Sequence, residues 1–302
     1  MKTLCLIILL LVKNALGQSD FVALLDLKKG IEKDPTGKVL VSWDSKSLAS
    51  DGCPQNWYGI ICSDGHVISI TLNDLGLFGN FSLPAIIGLQ RLQNLSISNN
   101  QFMGTISHIG SIQSLEYMDI SHNVFDGLIP SDIANLKNLV LLNLSSNYFE
   151  GLVPSGFANF TKLRYLDLQA NGFSGDVMSL LSQLGGMVYV DLSTNRFSGS
   201  LDLGLGNSSF ISSIQYLNIS HNSLVGELFA HDGVPYFDTL EVFDASNNQL
   251  VGTIPPFQFA VSLRVLRLGN NKLSGSLPES LLQESSMMLS ELDLSLNQLE
   301  GI

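Results

Sequence analysis

Residues Leu139–Pro154 read L-x-x-L-x-L-x-x-N-x-F-x-G-x-V-P, and a near copy returns about every 24 residues down the chain. The ninth position holds Leu75 in a degenerate first copy, Val67–Gly79. It then holds Asn100, Asn123, Asn147, Asn171, Asn195, Asn222, Asn248, Asn271 and Asn297, at steps of 25, 23, 24, 24, 24, 27, 26, 23 and 26 residues. Ten copies at one spacing are not a chance pattern. A unit this short buries its apolar side only against its neighbours, so the repeat dictates a solenoid.

Each unit carries its own local logic. The x-L-x-L-x segment is a short strand with alternating side chains. Leu142 and Leu144 are expected in the core, and Leu141, Asn143 and Ser145 on the concave face. Stacked strands give one parallel concave sheet, and the expected fold class is an α/β solenoid. The Asn follows the strand where the chain bends inward. Its amide both donates and accepts, and so can satisfy backbone groups that the bend leaves unpaired. Position 11 is Leu77, Phe102, Phe125, Phe149, Phe173, Phe197, Leu224, Leu250, Leu273 and Leu299. Stacking buries equivalent positions against one another, so this row reads as a core spine rather than a ligand platform.

Ahead of the repeats lie two different segments. In residues 1–17, Lys2 precedes the apolar run Leu4–Val12, and Ala15-Leu16-Gly17 offers a small-x-small cleavage site. This is the pattern of a secretory signal peptide, too short to span a membrane. Its removal takes away Lys2 and Lys13 and moves the formal charge from -12 to -14. Cys5 leaves with it.

Residues 18–66 read as an N-terminal cap. Ser19 or Asp20 is expected to cap a helix with the apolar face Phe21, Leu24, Leu25, Leu27 and Ile31, ended by Asp34-Pro35-Thr36-Gly37. Cys53 and Cys62, the two cysteines left in a secreted chain, predict a disulfide. A helix and a disulfide-closed hairpin would cover the otherwise bare first strand. Their spacing, without a third Cys or a His, does not suit zinc.

The helix ending at Asp34-Pro35 and Ser42-Trp43, the hairpin Cys53–Cys62 and the L-x-x-L-x-L-x-x-N-x-L-x-G-x-I-P repeats together resemble the ectodomain of a plant leucine-rich-repeat receptor-like kinase. Within that family the chain is most similar to large-ectodomain members with atypical or inactive kinases. The resemblance implies a right-handed superhelix, a cell-surface address, and recognition of a peptide ligand or of another leucine-rich-repeat receptor or co-receptor. Such a receptor continues through a second cysteine cap, a membrane helix and a kinase. Here the sequence stops at Glu300-Gly301-Ile302, inside repeat ten, with no C-terminal cap. The expectation is a truncated gene model, a fragment or a degenerate paralogue, whose membrane attachment lies in a missing C-terminal region. The alternative is a soluble extracellular inhibitor similar to those that block wall-degrading polygalacturonases.

Repeats five to seven lose the proline of G-x-I-P, and long loops at Asp202–Ser213 and Ala230–Asp238 follow the sixth and seventh. The concave face supplies the candidate site. Position 3 gives Tyr117, Leu141, Tyr165, Tyr189 and Tyr216, and position 5 gives Asp119, Asn143, Asp167, Asp191, Asn218, Asp244, Arg267 and Asp293. Tyr beside Asp pairs rigid apolar area with charge, so Tyr165, Asp167, Tyr189 and Asp191 are candidate ligand-binding residues. Arg264 and Arg267, the cationic break, are candidate ligand-binding residues as well. Their spacing departs from the Arg-x-Arg pair that grips a peptide's terminal carboxylate in the resembling receptors. Sequons at Asn80, Asn94, Asn143, Asn159, Asn207 and Asn218 mark expected glycosylation sites.

No nucleophile elbow, phosphate loop or metal pair stands out, and the five histidines are scattered. The expectation is a binding module without catalysis, cofactor or metal. Net acidity without basic clusters argues against nucleic acid.

Overall fold

The computed structural model describes residues 20–201, 212–229, 237–257, 260–279, 281 and 288–300. The expected signal peptide and the loop sequon Asn207 lie outside them.

One strand per repeat builds an eleven-stranded concave sheet. It opens with the antiparallel hairpin Ile60–Ser63 and His66–Thr71. From His66–Thr71 onward neighbouring strands run parallel, through Tyr165–Asp167, Tyr189–Asp191 and Tyr216–Asn218 to Glu291–Asp293. The register pairs like with like: Tyr165 with Tyr189, Asp167 with Asp191, Tyr189 with Tyr216. A residue type repeated in sequence therefore becomes a ladder in space.

Leu142 and Leu144 are buried with their equivalents in repeats one to nine, as strand alternation requires, whereas Leu292 of the Glu291–Asp293 strand is 38% exposed. Ser145 is not on the concave surface. It is 2% exposed, and its N–H and hydroxyl both donate to Asn143 Oδ1, because the chain has already turned inward.

The asparagine ladder reaches further than its own bend. Asn147 Nδ2 donates to Leu144 and Ser145 carbonyls, and also to Ile120 O of the preceding repeat at 3.0 Å. Its Oδ1 accepts from Phe125 N, again one repeat back, at 3.0 Å. Asn100 does the same for the first repeat through Leu72 O and Leu77 N. Leu75 can thus stand where an Asn would have no earlier repeat to serve. The phenylalanine spine follows beneath, with Phe125, Phe149 and Phe173 stacked at 6.4 and 6.2 Å between centroids.

A second sheet, which the repeat spacing does not announce, runs along positions 10–14. It joins Ile31–Lys33, Phe78–Asn80, Gln101–Gly104, Val124–Gly127, Tyr148–Leu152, Gly172–Asp176 and Arg196–Ser198, and a four-stranded continuation ends at Gln298–Leu299. This sheet explains the repeat glycine. Gly151 has φ +77, and a Cβ there would lie 2.5 Å from Leu128 Cδ2, because the residue after one repeat's glycine folds over the glycine of the next.

The cap helix spans Asp20–Lys29. Ile31 belongs instead to the short strand pairing antiparallel with Phe78–Asn80, which makes it the edge of the second sheet. Asp34 starts a second helix, Lys38–Ser42, by accepting from Val39 N and Leu40 N. Burial acts to raise the Asp34 carboxyl, but hydrogen bonds from Leu40, Thr36 and Val39 outweigh it and hold it below its ordinary value. Cys53 and Cys62 form the expected disulfide. Trp43 and Trp57 stack at 5.2 Å, and Asp20 Oδ2 accepts from Val67 N at 2.7 Å, tying the cap to the first repeat strand.

Candidate ligand-binding face

Identical register brings Tyr165, Tyr189 and Tyr216 into one stack on the concave sheet. Their ring centroids are 4.2 and 4.3 Å apart, and the planes are inclined by 5° and 7°. The rings are half-buried and use their faces on one another. Tyr216, the next member of the position 3 row, completes the ladder.

The paired carboxylates behave differently from the tyrosines. Asp167 and Asp191 are 4% and 2% exposed, so they underlie the ladder rather than stand on it. Asp191 Oδ1 accepts from Ser193 N and Oγ, and its Oδ2 accepts from Asn218 Nδ2 at 3.1 Å and Tyr216 Oη at 3.3 Å. Asp167 accepts from Gln169 N and, at 3.4 Å, from Tyr165 Oη. Burial, then the charges of Asp191 and Asp119, push the Asp167 carboxyl up to about 6 against hydrogen bonds that lower it. Burial, then the Asp167 charge, push the Tyr165 phenol up to about 12. Tyr189 and Tyr216 are raised by burial and by Asp191.

The arginines are already engaged. Arg267 forks onto Glu291, Nε to Oε1 at 2.6 Å and Nη2 to Oε2 at 2.9 Å, and Nη1 lies 3.5 Å from Asp244 Oδ2. Hydrogen bonding to Glu291 raises the guanidinium and correspondingly lowers the carboxyl. Arg264 stands just before that strand, largely exposed, 3.9 Å from Glu241 Oε2.

Nearer the cap the concave face deepens into a groove of about 530 Å³. Ile61 of the cap hairpin, Tyr117 and Leu141 line it with apolar surface, and Glu116, Asp119 and Asn94 add polar groups. Tyr117 and Asp119 stand in the position 3 and 5 rows of the sequence; Ile61 lies outside the repeat pattern and reaches this face because its strand pairs with His66–Thr71.

The sequons divide by face. Asn80 and Asn159 are exposed. Asn94, Asn143 and Asn218 lie on concave strands and are half-buried. Asn94 Nδ2 donates to Ser69 Oγ and Thr71 Oγ1. Among the described residues no set of three or more His, Cys, Asp or Glu could hold a metal, and no helix is long and apolar enough to cross a membrane.

Known proteins place this geometry. Leucine rich repeat profiles match residues 113–173, 239–259 and 262–283, and a leucine rich repeat N-terminal domain profile matches residues 17–63. The probable inactive receptor kinase At5g10020 of Arabidopsis thaliana is 44% identical over 308 aligned residues, which cover 99% of this chain. The chain belongs to the leucine-rich-repeat family of plant receptor-kinase ectodomains. It spans 29% of the length of that relative.

Among solved structures of this family, the PEPR1–AtPEP1 complex superposes with a TM-score of 0.77 at 30% identity, covering 93% of this chain and 42% of the other. The Arabidopsis receptor kinase HAESA, in complex with the peptide hormone IDA and the co-receptor SERK1, gives a TM-score of 0.65 at 27% identity, covering 93% and 54%.

Proposed function

We propose that this leucine-rich-repeat chain is the extracellular recognition portion of a receptor-like kinase and binds a peptide or a second leucine-rich-repeat ectodomain on its concave face. The observation that carries this reading is the half-buried tyrosine stack Tyr165–Tyr189–Tyr216, held over Asp167 and Asp191. Stacking fixes the side-chain torsions before any ligand arrives, so little rotamer entropy remains to be lost on binding. HAESA, a structural neighbour, is known with a peptide hormone and a co-receptor, which supports the same class of partner here. Residues 1–17 fit as the signal that sends the chain to the secretory pathway and cell surface, residues 18–66 as the cap and 67–302 as ten repeats. The inhibitor of wall-degrading enzymes is the less favoured reading, since the receptor resemblance runs through 99% of the chain. Catalysis has no place in this proposal.

A panel of plant leucine-rich-repeat ectodomains and synthetic secreted peptides tests it. Tyr189→Ala removes the middle ring and opens the stack on both sides. A partner should bind the wild-type chain and lose at least about tenfold in affinity to the Tyr189→Ala chain, the weight of one hot-spot contact. Partners that bind both chains equally would move recognition off the ladder.

A further inference from the structure

We infer that the groove beside the cap takes a basic, apolar peptide segment: a Lys or Arg side chain set against Glu116 and Asp119, with a neighbouring aliphatic or aromatic residue between Ile61 and Tyr117. The inference rests on the recognition role proposed above and names the chemistry of the partner. It places that partner's anchor two repeats ahead of the tyrosine stack.

Shape comes first. The groove holds about 530 Å³, room for a few peptide side chains rather than a flat protein surface. Ile61 and Tyr117 are 57% and 44% exposed, unusually open for large apolar groups that share one concavity. Such a concentration of exposed apolar area marks a binding site more often than a lone surface residue does.

Charge decides the occupant. The two carboxylate side chains lining the groove, Glu116 and Asp119, face no Lys, Arg or His among the lining residues. Asp119 spends Oδ1 on Ser121 N and Oγ, the same bracket that Asp191 makes with Ser193. The acidic field continues along the sheet, since the charges of Asp119 and Asp191 both act on the Asp167 carboxyl. An acidic peptide would meet repulsion there, and a neutral one would leave the carboxylates to be desolvated without a partner. A cationic side chain meets neither cost, and its charge-assisted contacts with carboxylates are the strong kind.

Asn94 provides an independent constraint. It lines the groove, with its amide turned onto Ser69 and Thr71. A glycan on that nitrogen would fill the space, so an open groove requires an unmodified Asn94.

The test pans a random peptide library, displayed on phage, against the secreted chain and against two variants. Enriched peptides should carry Lys or Arg within a residue or two of Leu, Ile, Phe or Trp. Synthetic copies should bind about tenfold more weakly to the Glu116→Gln/Asp119→Asn/Ser121→Ala triple variant and to the Tyr117→Ala variant. Binding should also weaken as salt rises, since the contacts are partly exposed. Asn stands at the equivalent positions 143 and 218 and accepts there from the backbone N–H two residues on, so the triple variant keeps that bond, and Ser121→Ala prevents a new Asn-x-Ser sequon in the groove. Peptides that are acidic or neutral, or that bind the groove variants undiminished but lose affinity to Tyr189→Ala, would overturn the groove and leave concave-face recognition standing. A library that yields nothing above background would overturn both readings. Mass spectrometry of the same preparation adds a second arm: a glycan on most copies of Asn94 refutes the groove.

Discussion

At the scale of single residues, register turns composition into energetics. Asp167 and Asp191 are alike in sequence to any surface aspartate, and only their place beneath stacked rings buries them. The Asp167 carboxyl, pushed up to about 6, stays protonated in the folded chain to a higher pH than in the unfolded one, where the ordinary value is 3.8. Between those values the native state binds more protons, so this stabilising contribution is fully present below about pH 4 and is lost as pH rises through 6. The two-unit span corresponds to about 2–3 kcal/mol. Other carboxyls, Asp34 among them, are lowered and pull the opposite way, so the readout must be a difference. Measured by urea unfolding, the gap in stability between the wild-type chain and Asp167→Asn should change by roughly 2 kcal/mol from pH 4 to pH 7, at the wild type's expense. Parallel pH curves for the two chains would show that Asp167 titrates normally. The repeat pattern marks Asp167 but not its depth, because alternation along a strand says which face a side chain leaves from and not how deeply its neighbours cover it.

At the scale of elements, the repeat strands, the asparagine ladder and the phenylalanine spine were legible because each follows from spacing alone. The second sheet was not. Its strands are short and glycine-bearing, and what pairs them is the stacking itself, visible only once the first sheet sets the rise. The cap shows the same limit. Its helix and disulfide follow from composition, whereas Ile31–Lys33 is a strand only because Phe78–Asn80 lies alongside. The disulfide closes a short loop, so loop-closure entropy assigns it roughly 3 kcal/mol. A Cys53→Ser/Cys62→Ser chain should lose about that much, and the loss should stay local because solenoid repeats couple mainly to nearest neighbours. Hydrogen exchange should accelerate in His66–Thr71 and Asn94–Ser96 while Val242–Asp244 keeps wild-type protection. Uniform acceleration along the chain would mean that the solenoid unfolds as one unit, and no change at all would mean that the stacked Trp43 and Trp57 hold the cap unaided.

At the scale of the whole molecule, what a partner can reach depends on which sequons carry sugar. Asn80 and Asn159 are exposed, and a glycan on either displaces no concave contact. Asn218 sits inside the ladder, its amide nitrogen bonded to Asp191 and 3.5 Å from Tyr216 Oη. A glycan there would replace a hydrogen of that amide and wedge against the third ring. Asn143 stands between, on the strand that separates the groove from the tyrosine stack, with Leu141 lining the groove and Tyr165 one strand further on. Site-by-site glycan occupancy of the secreted protein should therefore be high at Asn80 and Asn159 and low at Asn218. An Asn218 carrying sugar in most copies would contradict the closed stack Tyr189–Tyr216. Occupancy at Asn143 decides the geometry of recognition. If it is bare, groove and ladder form one trough, and a single extended peptide can lie across both. If it is occupied, the sugar divides them, and Tyr117→Ala and Tyr189→Ala should then weaken different partners rather than the same one.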